Sequence, residues 1–349
     1  MSRIRTLVVG LGQMGKSHAL AYRRNPGFEL IGLVNRTAVS LPGELAGVRL
    51  FDDFASGLAE KPDLVSVNTY TESHASYAIA AMEAGAHVFV EKPLAPSVAE
   101  ARRVVDTARR TGRKLVVGYI LRHHPSYVEF IRQARTLGAP LVMRMNLNQQ
   151  SSGEAWEIHK RLMQSTNPVV DCGVHYIDVM LQICDSRPVQ VRGMGVRLSL
   201  EIAEAQVNYG HLQVIFADGS VGWYEAGWGP MISETAFFVK DVIGPHGSVS
   251  FVMDEGAASA SIDTHTKTAR LRLHRAARDA DGNFVHSDRV HSMRDEPDHQ
   301  QLCEREQQFV LDAIRGDADL SGHMEAAIRS LAIVLAAEVS MREARAVDL

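Results

Sequence analysis

Two groups of ionisable residues in this chain have the types and spacing to do acid–base chemistry. The first is Glu91-Lys92-Pro93, which directly follows the apolar run 87–90. Such a run is typical of a buried parallel strand, and open α/β sheets bind ligands at the carboxyl ends of their strands. An ammonium group held there can stabilise a developing negative charge on oxygen. Lys92 is therefore predicted to be catalytic, with a solvated surface lysine as the alternative.

The second group is Asp171 and His175, which are four residues apart. If this segment is helical, the two side chains share one face and can converge on one substrate. Imidazole titrates near neutral pH, so His175 suits the removal of an alcohol proton. The alternatives are a helix N-cap for Asp171 and a buried core histidine for His175. Two ligands are too few for a zinc site, so no metal is expected.

A glycine motif near the N-terminus predicts a nucleotide site. Residues 10–15 match G-x-G-x-x-G with Gly10, Gly12 and Gly15, and they join a predicted strand to a predicted helix. Gly10 would allow the tight turn, Gly12 the approach of a pyrophosphate, and Gly15 close helix–strand packing. The helix N-terminus, at Gln13 and Met14, would supply amides and positive dipole to the phosphates. A plain strand–helix turn is the alternative.

The residues after the second predicted strand address the choice of cofactor. An NAD site usually has an acidic residue there, which binds the ribose 2′-hydroxyl. This chain has Asn35 and Arg36 instead. No carboxylate would repel a 2′-phosphate, and Arg36 could pair with it or stack on adenine. NAD or NADP is expected, with a slight preference for NADP; an exposed arginine that tolerates either cofactor is the alternative.

Periodicity predicts the elements that must position these residues. Up to residue 120, strands alternate with helices, which indicates βαβ units and a parallel sheet. Beyond it, period-two patterns and turn signals such as Asp218-Gly219 indicate antiparallel strands, followed by two closing helices. The predicted strands are 6–9, 28–34, 64–67, 88–90, 114–117, 141–147, 189–200, 207–216, 221–228, 237–243 and 248–252, and the predicted helices are 13–24, 73–84, 97–110, 301–314 and 324–343.

The fold class is therefore α/β, with a Rossmann-type doubly wound domain over 1–120 and a second α/β domain over 121–349, whose last helices could pack back on the first domain. Composition is ordinary, with 46% apolar and 22% charged residues and a net charge of −4. Nothing in it suggests nucleic acid or membrane as a partner. Three widely spaced cysteines favour reduced thiols and a cytoplasmic location.

With its glycine motif, Glu91-Lys92-Pro93, and the run 171–178 (Asp-Cys-Gly-Val-His-Tyr-Ile-Asp), the chain resembles the Gfo/Idh/MocA oxidoreductase family along nearly its whole length. This family includes glucose–fructose oxidoreductase and inositol dehydrogenases. The resemblance implies a second domain with a large open sheet that commonly forms the interface of a homodimer or homotetramer. It also implies a sugar or polyol substrate lying between the domains, against the nicotinamide.

The resemblance also implies individual roles. Lys92 matches the family's catalytic lysine, His175 its proton-transferring histidine, and Asp171 its substrate-contacting acid or amide. Glu91 matches a residue near the nicotinamide ribose. Three further cofactor contacts fall in a segment that usually reads Thr-Pro-x-x-x-His, where a tyrosine replaces the proline in this chain; they are Thr69, Tyr70 and His74.

Four more residues are candidate substrate contacts. Trp156 could offer an apolar face to a sugar, with His159 bonding beside it, unless this segment is an ordinary surface loop or helix. Tyr119 and Arg122 follow the last strand of the first domain, although Arg122 could equally form an interdomain ion pair.

The expected activity is NAD(P)-dependent hydride transfer to or from a secondary alcohol of a sugar, inositol or related polyol. Two alternatives stay open. One is elimination assisted by transient oxidation, as in NAD-dependent glycosidases. The other is a non-catalytic nucleotide-sensing regulator, which would have no need of Lys92, Asp171 and His175 together.

Overall fold

The chain folds into two compact units, seen in a computed structural model that describes residues 2–233, 239–253, 268–293 and 295–349. The first unit comprises Met1–His123 and Pro297–Leu331, and the second comprises His124–Glu296 and Ala332–Leu349. The division falls three residues after the predicted boundary at 120, and a late segment of the sequence belongs to the first unit.

The first unit contains a parallel sheet of six strands in the order β3-β2-β1-β4-β5-β6. This is the doubly wound order of dinucleotide-binding folds, which confirms the predicted class. Its strands are β1 Ile4–Val9, β2 Phe28–Val34, β3 Leu50–Phe51, β4 Leu64–Val67, β5 His87–Val90 and β6 Leu115–Val117, and its first helices are α1 Gln13–Arg24, α2 Phe54–Leu58, α3 Thr71–Glu83 and α4 Val98–Thr111.

Local sequence explains most of these boundaries. Ser97 caps α4 by accepting from the Glu100 amide, and Gly112 ends the helix at φ +65°. Most of the strand residues are buried because helices cover both faces of a parallel sheet. The sequence did not predict β3 or α2, which are only two and five residues long.

The second unit contains a mixed sheet of nine strands in the order β14-β13-β12-β11-β7-β10-β9-β8-β15. Only β7 and β10 pair in parallel, so the sheet is mainly antiparallel, as predicted. Its elements, in chain order, are α5 Pro125–Ala134, β7 Val142–Gln150, α6 Gly153–Leu162, α7 Pro168–Asp171, α8 Gly173–Ile183, β8 Pro188–Val196, β9 Tyr209–Phe216, β10 Val221–Gly229, β11 Lys240–Gly244, β12 Gly247–Val252, β13 Arg270–Arg275 and β14 Arg289–Ser292.

The hairpin predicted at Asp218-Gly219 is present, and a second hairpin joins β11 and β12. Gly219, at φ +86°, turns β9 into β10, and β11 pairs with β12 in the antiparallel sense. The predicted start of β11 at 237 lies outside the described residues. The sequence did not predict β13 or β14.

The chain ends with α9 His299–Arg315, α10 Ser321–Glu343 and β15 Val347–Asp348. Helix α9 begins with a capping box between Asp298 and Gln301 and packs against α1 within the first unit. Val310 and Leu311 of α9 join the apolar core of that unit. Helix α10 runs through the division between the units at Leu331. No described helix is long and apolar enough to span a bilayer.

One face of the second sheet carries a row of partly exposed apolar side chains. Ile215, Val221, Val142 and Ile243 are successive register neighbours on β9, β10, β7 and β11. Their exposed fractions lie between 37% and 41%. The opposite face packs against α5, α7 and α8. Among the residues that the structure describes, helices cover only one face of this sheet.

Candidate active site

A crevice of about 670 Å³ opens at the carboxyl ends of β1, β2 and β4 in the first unit. Strand order reverses between β1 and β4, and ligands bind at such switch points in open α/β sheets. Its lining includes predicted cofactor residues, Gly10, Gly12, Asn35, Arg36, Thr69 and Tyr70, and others that the sequence did not single out, Asp52, Asp53, Phe54, Asn68, Ser73 and Tyr77.

The glycine loop fits a dinucleotide. Gly10 adopts φ +85°, and a Cβ on it would lie 2.6 Å from the Asn68 carbonyl oxygen. A Cβ on Gly15 would lie 1.9 Å from the carbonyl oxygen of Gly10, so helix and strand pack too closely for any side chain. A Cβ on Gly12 would meet nothing within 4 Å. Only Gly12 therefore faces open space that a pyrophosphate can fill.

The first turn of α1 suits an anion. Gly12 is its N-cap and supplies no side-chain cap, and no acidic residue lies in the first turn. The amides and the positive end of the helix dipole there are a ready site for phosphate. Gln13 is exposed and Met14 is half-buried beside it.

Asn35 is hydrogen-bonded to the glycine loop. Its Oδ1 accepts from the Leu11 amide at 3.0 Å, and its Nδ2 donates to the Thr37 carbonyl at 2.7 Å. A carboxylate could make the first bond but not the second, because it has no proton to donate. The absence of an acid at the end of β2 therefore has a local structural reason besides its effect on cofactor choice.

Arg36 is exposed in the crevice and forms no ion pair with the described residues. Asp52 and Asp53 line the same crevice. The two oxygens of Asp53 bond to the Ser56 hydroxyl and amide, which lowers the pKa of Asp53. Asp53 is thus committed to capping α2, whereas Arg36 is available to a ligand.

The loop before α3 is held by short hydrogen bonds. The Thr69 and Ser73 hydroxyls lie 2.7 Å apart, and Ser73 Oγ donates to the Tyr70 carbonyl at 2.9 Å. Tyr70 is the N-cap residue of α3, and its side chain is 67% exposed. The tyrosine in place of a proline therefore puts an exposed ring at the crevice.

His74 supports the site rather than lining it. Its ring is buried, with Nδ1 2.7 Å from the Pro93 carbonyl and Nε2 2.9 Å from the Thr69 carbonyl. Burial lowers the pKa of His74, and the two carbonyls act in the opposite direction. His74 therefore lies between the loop after β4 and the loop after β5, and its direct cofactor contact stays a prediction.

Glu91, Lys92 and Pro93 follow β5, and the Lys92-Pro93 peptide is cis. Glu91 is 7% exposed and Lys92 is half-buried. One oxygen of Glu91 lies 2.8 Å from His18 Nε2, and the other accepts from the Lys92 amide at 3.1 Å. The predicted position of Lys92 at the end of a buried strand is thus observed, while the bond from His18 was not foreseen.

Tyr119 and Arg122 make contacts within the first unit. The Tyr119 ring is 1% exposed, and its hydroxyl lies 2.7 Å from that of Ser330. The Arg122 guanidinium lies 5.5 Å from the centre of that ring and also contacts His323. These contacts explain Tyr119 as a packing residue, so a substrate role for it rests on the sequence alone.

In the second unit, Asp171 ends α7 and His175 lies in the first turn of α8. The segment is helical on both sides of Cys172 but is divided there into two helices, although Cys172 keeps helical dihedral angles. Asn167 caps α7 and Cys172 precedes α8, so Asp171 is not an N-cap, contrary to that alternative. Between 167 and 180, only Asp171 and His175 are not fully buried. They therefore reach the surface of this unit together.

His159 belongs to the surroundings of Asp171. Burial lowers the pKa of His159 to about 4, and the charge of Asp171 acts in the opposite direction. Its ring stacks on Trp228 with centres 4.6 Å apart, and Nδ1 bonds to Ser151. Gln149 accepts from the Trp228 indole at 2.9 Å. Sequence reasoning missed Gln149, Ser151 and Trp228, which lie on or just after strands with no local motif.

Trp156 is a packing residue of α6. It is buried, and its indole nitrogen donates to Glu201 at 3.2 Å. Lys160 also bonds to Glu201 and lies over the Trp156 ring. These contacts account for Trp156 without a sugar. In the described part of the chain, no group of three or more His, Cys, Asp or Glu residues could hold a metal ion. Cys172, Cys184 and Cys303 are not joined in disulfides.

The glycine loop, the parallel sheet and the uncapped α1 define a dinucleotide-binding protein of the Rossmann class. Residues 4–119 match the family model described as "Oxidoreductase family, NAD-binding Rossmann fold", and residues 128–249 match the C-terminal domain of Gfo/Idh/MocA proteins. The two matches cover more than half of the chain. The chain therefore belongs to the Gfo/Idh/MocA oxidoreductase family, as the motifs predicted.

Two curated relatives show the range of the family. The chain is 31% identical over 199 residues to a UDP-N-acetylglucosamine 3-dehydrogenase of Acidithiobacillus ferrooxidans, across 56% of this chain and 59% of that protein. It is 33% identical over 201 residues to an inositol 2-dehydrogenase of Klebsiella pneumoniae, across 53% of this chain and 56% of that protein. The chain thus spans less than two thirds of the length of these relatives.

Among solved structures, a scyllo-inositol dehydrogenase of Lactobacillus casei with bound NAD(H) and scyllo-inositol superposes with a TM-score of 0.76. It covers 99% of both chains at 18% sequence identity. At this identity the likeness shows the fold alone.

Proposed function

We propose that this chain is an NAD(P)-dependent dehydrogenase of a secondary alcohol in a sugar, inositol or related polyol, or the corresponding ketone reductase. The observation that carries the proposal is the crevice of the first unit. Gly12 and the uncapped N-terminus of α1 open into this crevice, and Lys92 follows strand β5 of the same sheet. The names of the two curated relatives, which act on a nucleotide sugar and an inositol, support this substrate class.

The proposed roles follow from the chemistry of the side chains. A bound nicotinamide supplies the hydride acceptor or donor. Lys92, as an ammonium, stabilises the alkoxide that develops on the substrate oxygen. His175 accepts the hydroxyl proton, and Asp171 orients the substrate beside it. The partial exposure of Asp171 and His175 among buried neighbours supports both assignments.

Of the four further substrate contacts predicted from sequence, we retain His159. Burial lowers the pKa of His159 and the charge of Asp171 acts in the opposite direction, which supports placing the two side chains in one site. Buried packing already accounts for Tyr119 and Trp156, and Arg122 lies against Tyr119.

We propose NADP as the preferred cofactor, with NAD accepted. Arg36 lies in the crevice without an ion pair to the described residues, and Asn35 places no charge beside it. A guanidinium can pair with a 2′-phosphate through two hydrogen bonds. Asp52 works against this preference because it adds negative charge to the same crevice.

We further propose a homodimer or homotetramer that forms through the open face of the second sheet. The apolar row of Ile215, Val221, Val142 and Ile243 crosses four strands of that face, and contiguous exposed apolar surface marks association sites. Three free cysteines support a cytoplasmic location.

The test is a panel of UDP-N-acetylglucosamine, myo-inositol, scyllo-inositol, methyl glucoside and sugar acids with NAD⁺ and NADP⁺, followed by the absorbance of reduced nicotinamide. Lys92→Ala and His175→Ala should each lower kcat by about 10²- to 10⁴-fold and leave cofactor affinity nearly unchanged. Lys114→Ala is the matched control, because it removes a half-buried lysine that pairs with Asp317.

Each other outcome has a definite meaning. Wild-type turnover in Lys92→Ala and His175→Ala would contradict the assigned roles. Substrate cleavage with no change in bulk NAD(P)H would indicate elimination instead of net oxidation. Tight cofactor binding without turnover of any compound in the panel would favour a nucleotide sensor.

A further inference from the structure

A row of buried polar side chains ends at the backbone of Lys92. The Tyr22 hydroxyl lies 2.6 Å from Gln307 Oε1, and Gln307 Nε2 lies 2.9 Å from His18 Nδ1. His18 Nε2 lies 2.8 Å from one oxygen of Glu91, whose other oxygen accepts from the Lys92 amide. We call Tyr22, Gln307 and His18 the support chain.

The hydrogen bonds of the support chain run in one direction. Burial raises the pKa of Tyr22 above its usual range, so its hydroxyl keeps the proton that it donates to Gln307. The Gln307 amide nitrogen can only donate, so His18 Nδ1 accepts. The ring proton of His18 is then on Nε2 and donates to Glu91. The support chain thus presents a hydrogen-bond donor to the Glu91 carboxylate.

The surroundings keep the support chain in place. His18, Tyr22 and Gln307 are each 0% exposed. The centre of the His18 ring lies 4.7 Å from that of Phe89, which lies on β5 two residues before Glu91. A buried polar group that loses its partner cannot replace it with bulk water. A change at any member therefore reaches Glu91 and the end of β5.

Neither packing nor cofactor binding explains these residue types. The three side chains do not line the crevice among the described residues. Apolar side chains could fill the same core space, whereas a buried polar network is tolerated only when its members are satisfied. His18 and Tyr22 lie one turn apart on α1, and Gln307 comes from α9 almost 300 residues later. The fold brings α9 to this place and with it the amide that completes the row.

We propose that His18, Gln307 and Tyr22 are positioning residues for Lys92. They hold the Glu91 carboxylate against the Lys92 amide and so fix the direction in which the lysine leaves β5. The inference rests on the proposed catalytic role of Lys92, and none of the three touches the reacting atoms.

The test compares His18→Leu, His18→Gln, Gln307→Met and Tyr22→Phe. Turnover is measured with the panel compound of highest kcat/KM, and the dissociation constant of NADPH is measured by titration. His18→Leu and Gln307→Met should lower kcat by about 10- to 100-fold, as small misplacements of catalytic groups do, and leave NADPH affinity close to wild type. His18→Gln should recover part of the loss, because its amide can still donate to Glu91.

A second measurement does not depend on activity. In the cofactor-free protein, the rate at which acetic anhydride acetylates Lys92 is followed by peptide mass spectrometry. The variants that lower kcat should also change this acetylation rate, because the side-chain amino group of Lys92 then takes a different position. Gln308→Met is the matched control: it makes the same change one residue along α9, at an exposed side chain that bonds to Asn25 and Asp312.

The outcomes separate this inference from the proposed function. Wild-type kcat in Lys92→Ala would overturn the proposed function itself. Loss of turnover in Lys92→Ala, with wild-type kcat and acetylation rate in the support-chain variants, would overturn the positioning role alone. Equal losses in Gln307→Met and Gln308→Met would show a packing effect of α9 and also overturn it. If Gln307→Met does not fold, the kcat and the Lys92 acetylation rate of His18→Gln and Tyr22→Phe decide whether the positioning role holds, since both changes nearly conserve side-chain volume.

Discussion

Replacing Glu306 by glutamine is expected to remove a pH-dependent loss of stability from the first unit. Glu306 is fully buried on α9, and neither carboxyl oxygen has a hydrogen-bond partner among the described residues. His123 Nε2 lies 4.0 Å away. Burial raises the pKa of Glu306 well above its ordinary value of 4.5, and the charge of Glu91 raises it further. The folded protein therefore keeps a proton that the unfolded chain releases.

The sign and size of the effect follow from that difference. Below pH 4.5 both states hold the proton, and Glu306 costs nothing through ionisation. Above it the free energy of unfolding falls by about 1.4 kcal/mol per pH unit, until the buried group ionises in the folded state. Glu306→Gln has no proton to lose. Over the pH range in which only the unfolded chain ionises, the wild type and the variant should diverge by about 1.4 kcal/mol for each pH unit.

The assay is urea denaturation at several pH values between about 5 and 8, where this linkage acts. All three tryptophans, Trp156, Trp223 and Trp228, lie in the second unit, so their fluorescence would not report on α9. Hydrogen exchange of α9 peptides, read by mass spectrometry at each urea concentration, reports on it directly.

Glu129→Gln, followed through peptides of α5 in the second unit and at pH values extended below 4.5, provides a control of opposite sign. Arg132 lowers the pKa of Glu129, so its contribution is present above pH 4.5 and is lost as the pH falls. Parallel pH curves for the wild type and Glu306→Gln would refute the argument, because they would show that Glu306 ionises alike in both states.

Two further predictions concern the cofactor crevice. Gly12→Ala should keep the melting temperature, since its Cβ meets nothing within 4 Å, but weaken NADPH binding in a titration by filling phosphate space. Gly15→Ala should lower both the melting temperature and the affinity for NADPH, because its Cβ would lie 1.9 Å from the Gly10 carbonyl oxygen. Equal behaviour of the two variants would contradict this account. Arg36→Ala should raise the KM for NADP⁺ by about 10-fold and change that for NAD⁺ little, as loss of a charge-assisted hydrogen bond predicts. An equal rise for both cofactors in steady-state kinetics would mean that Arg36 does not read the 2′-phosphate.

Local sequence patterns were enough to predict much of the first unit. The bounds of α1 and β2 agree with their predicted ranges, and Ser97, where the third helix was predicted to begin, is the N-cap of α4. Short elements such as β3 were missed, because two residues carry no periodicity. The spacing of Asp171 and His175 suits a helix but does not show the break at Cys172, where α7 gives way to α8.

The candidate site divides in the same way. The positions of Gly10, Gly12 and Lys92 follow from strand ends and turn geometry, which neighbouring residues determine. His74 illustrates the limit: its place in a motif suggested a cofactor contact, but only the fold shows that its two ring nitrogens lie 2.7 and 2.9 Å from backbone carbonyls. The i, i+4 spacing of His18 and Tyr22 on a buried helix face was a signal for the support chain, although nothing local pointed to Gln307.

The sequence by itself determined the class of fold, the family, and Lys92 at the end of a buried strand, because motifs and periodicity are properties of consecutive residues. Tertiary structure alone decided that Gln307 meets His18 across 289 positions and that Glu306 is buried beside them. The physical reason is that burial and hydrogen-bond partners depend on which surfaces meet. Residues that distant in sequence meet only once helix α9 has packed against α1.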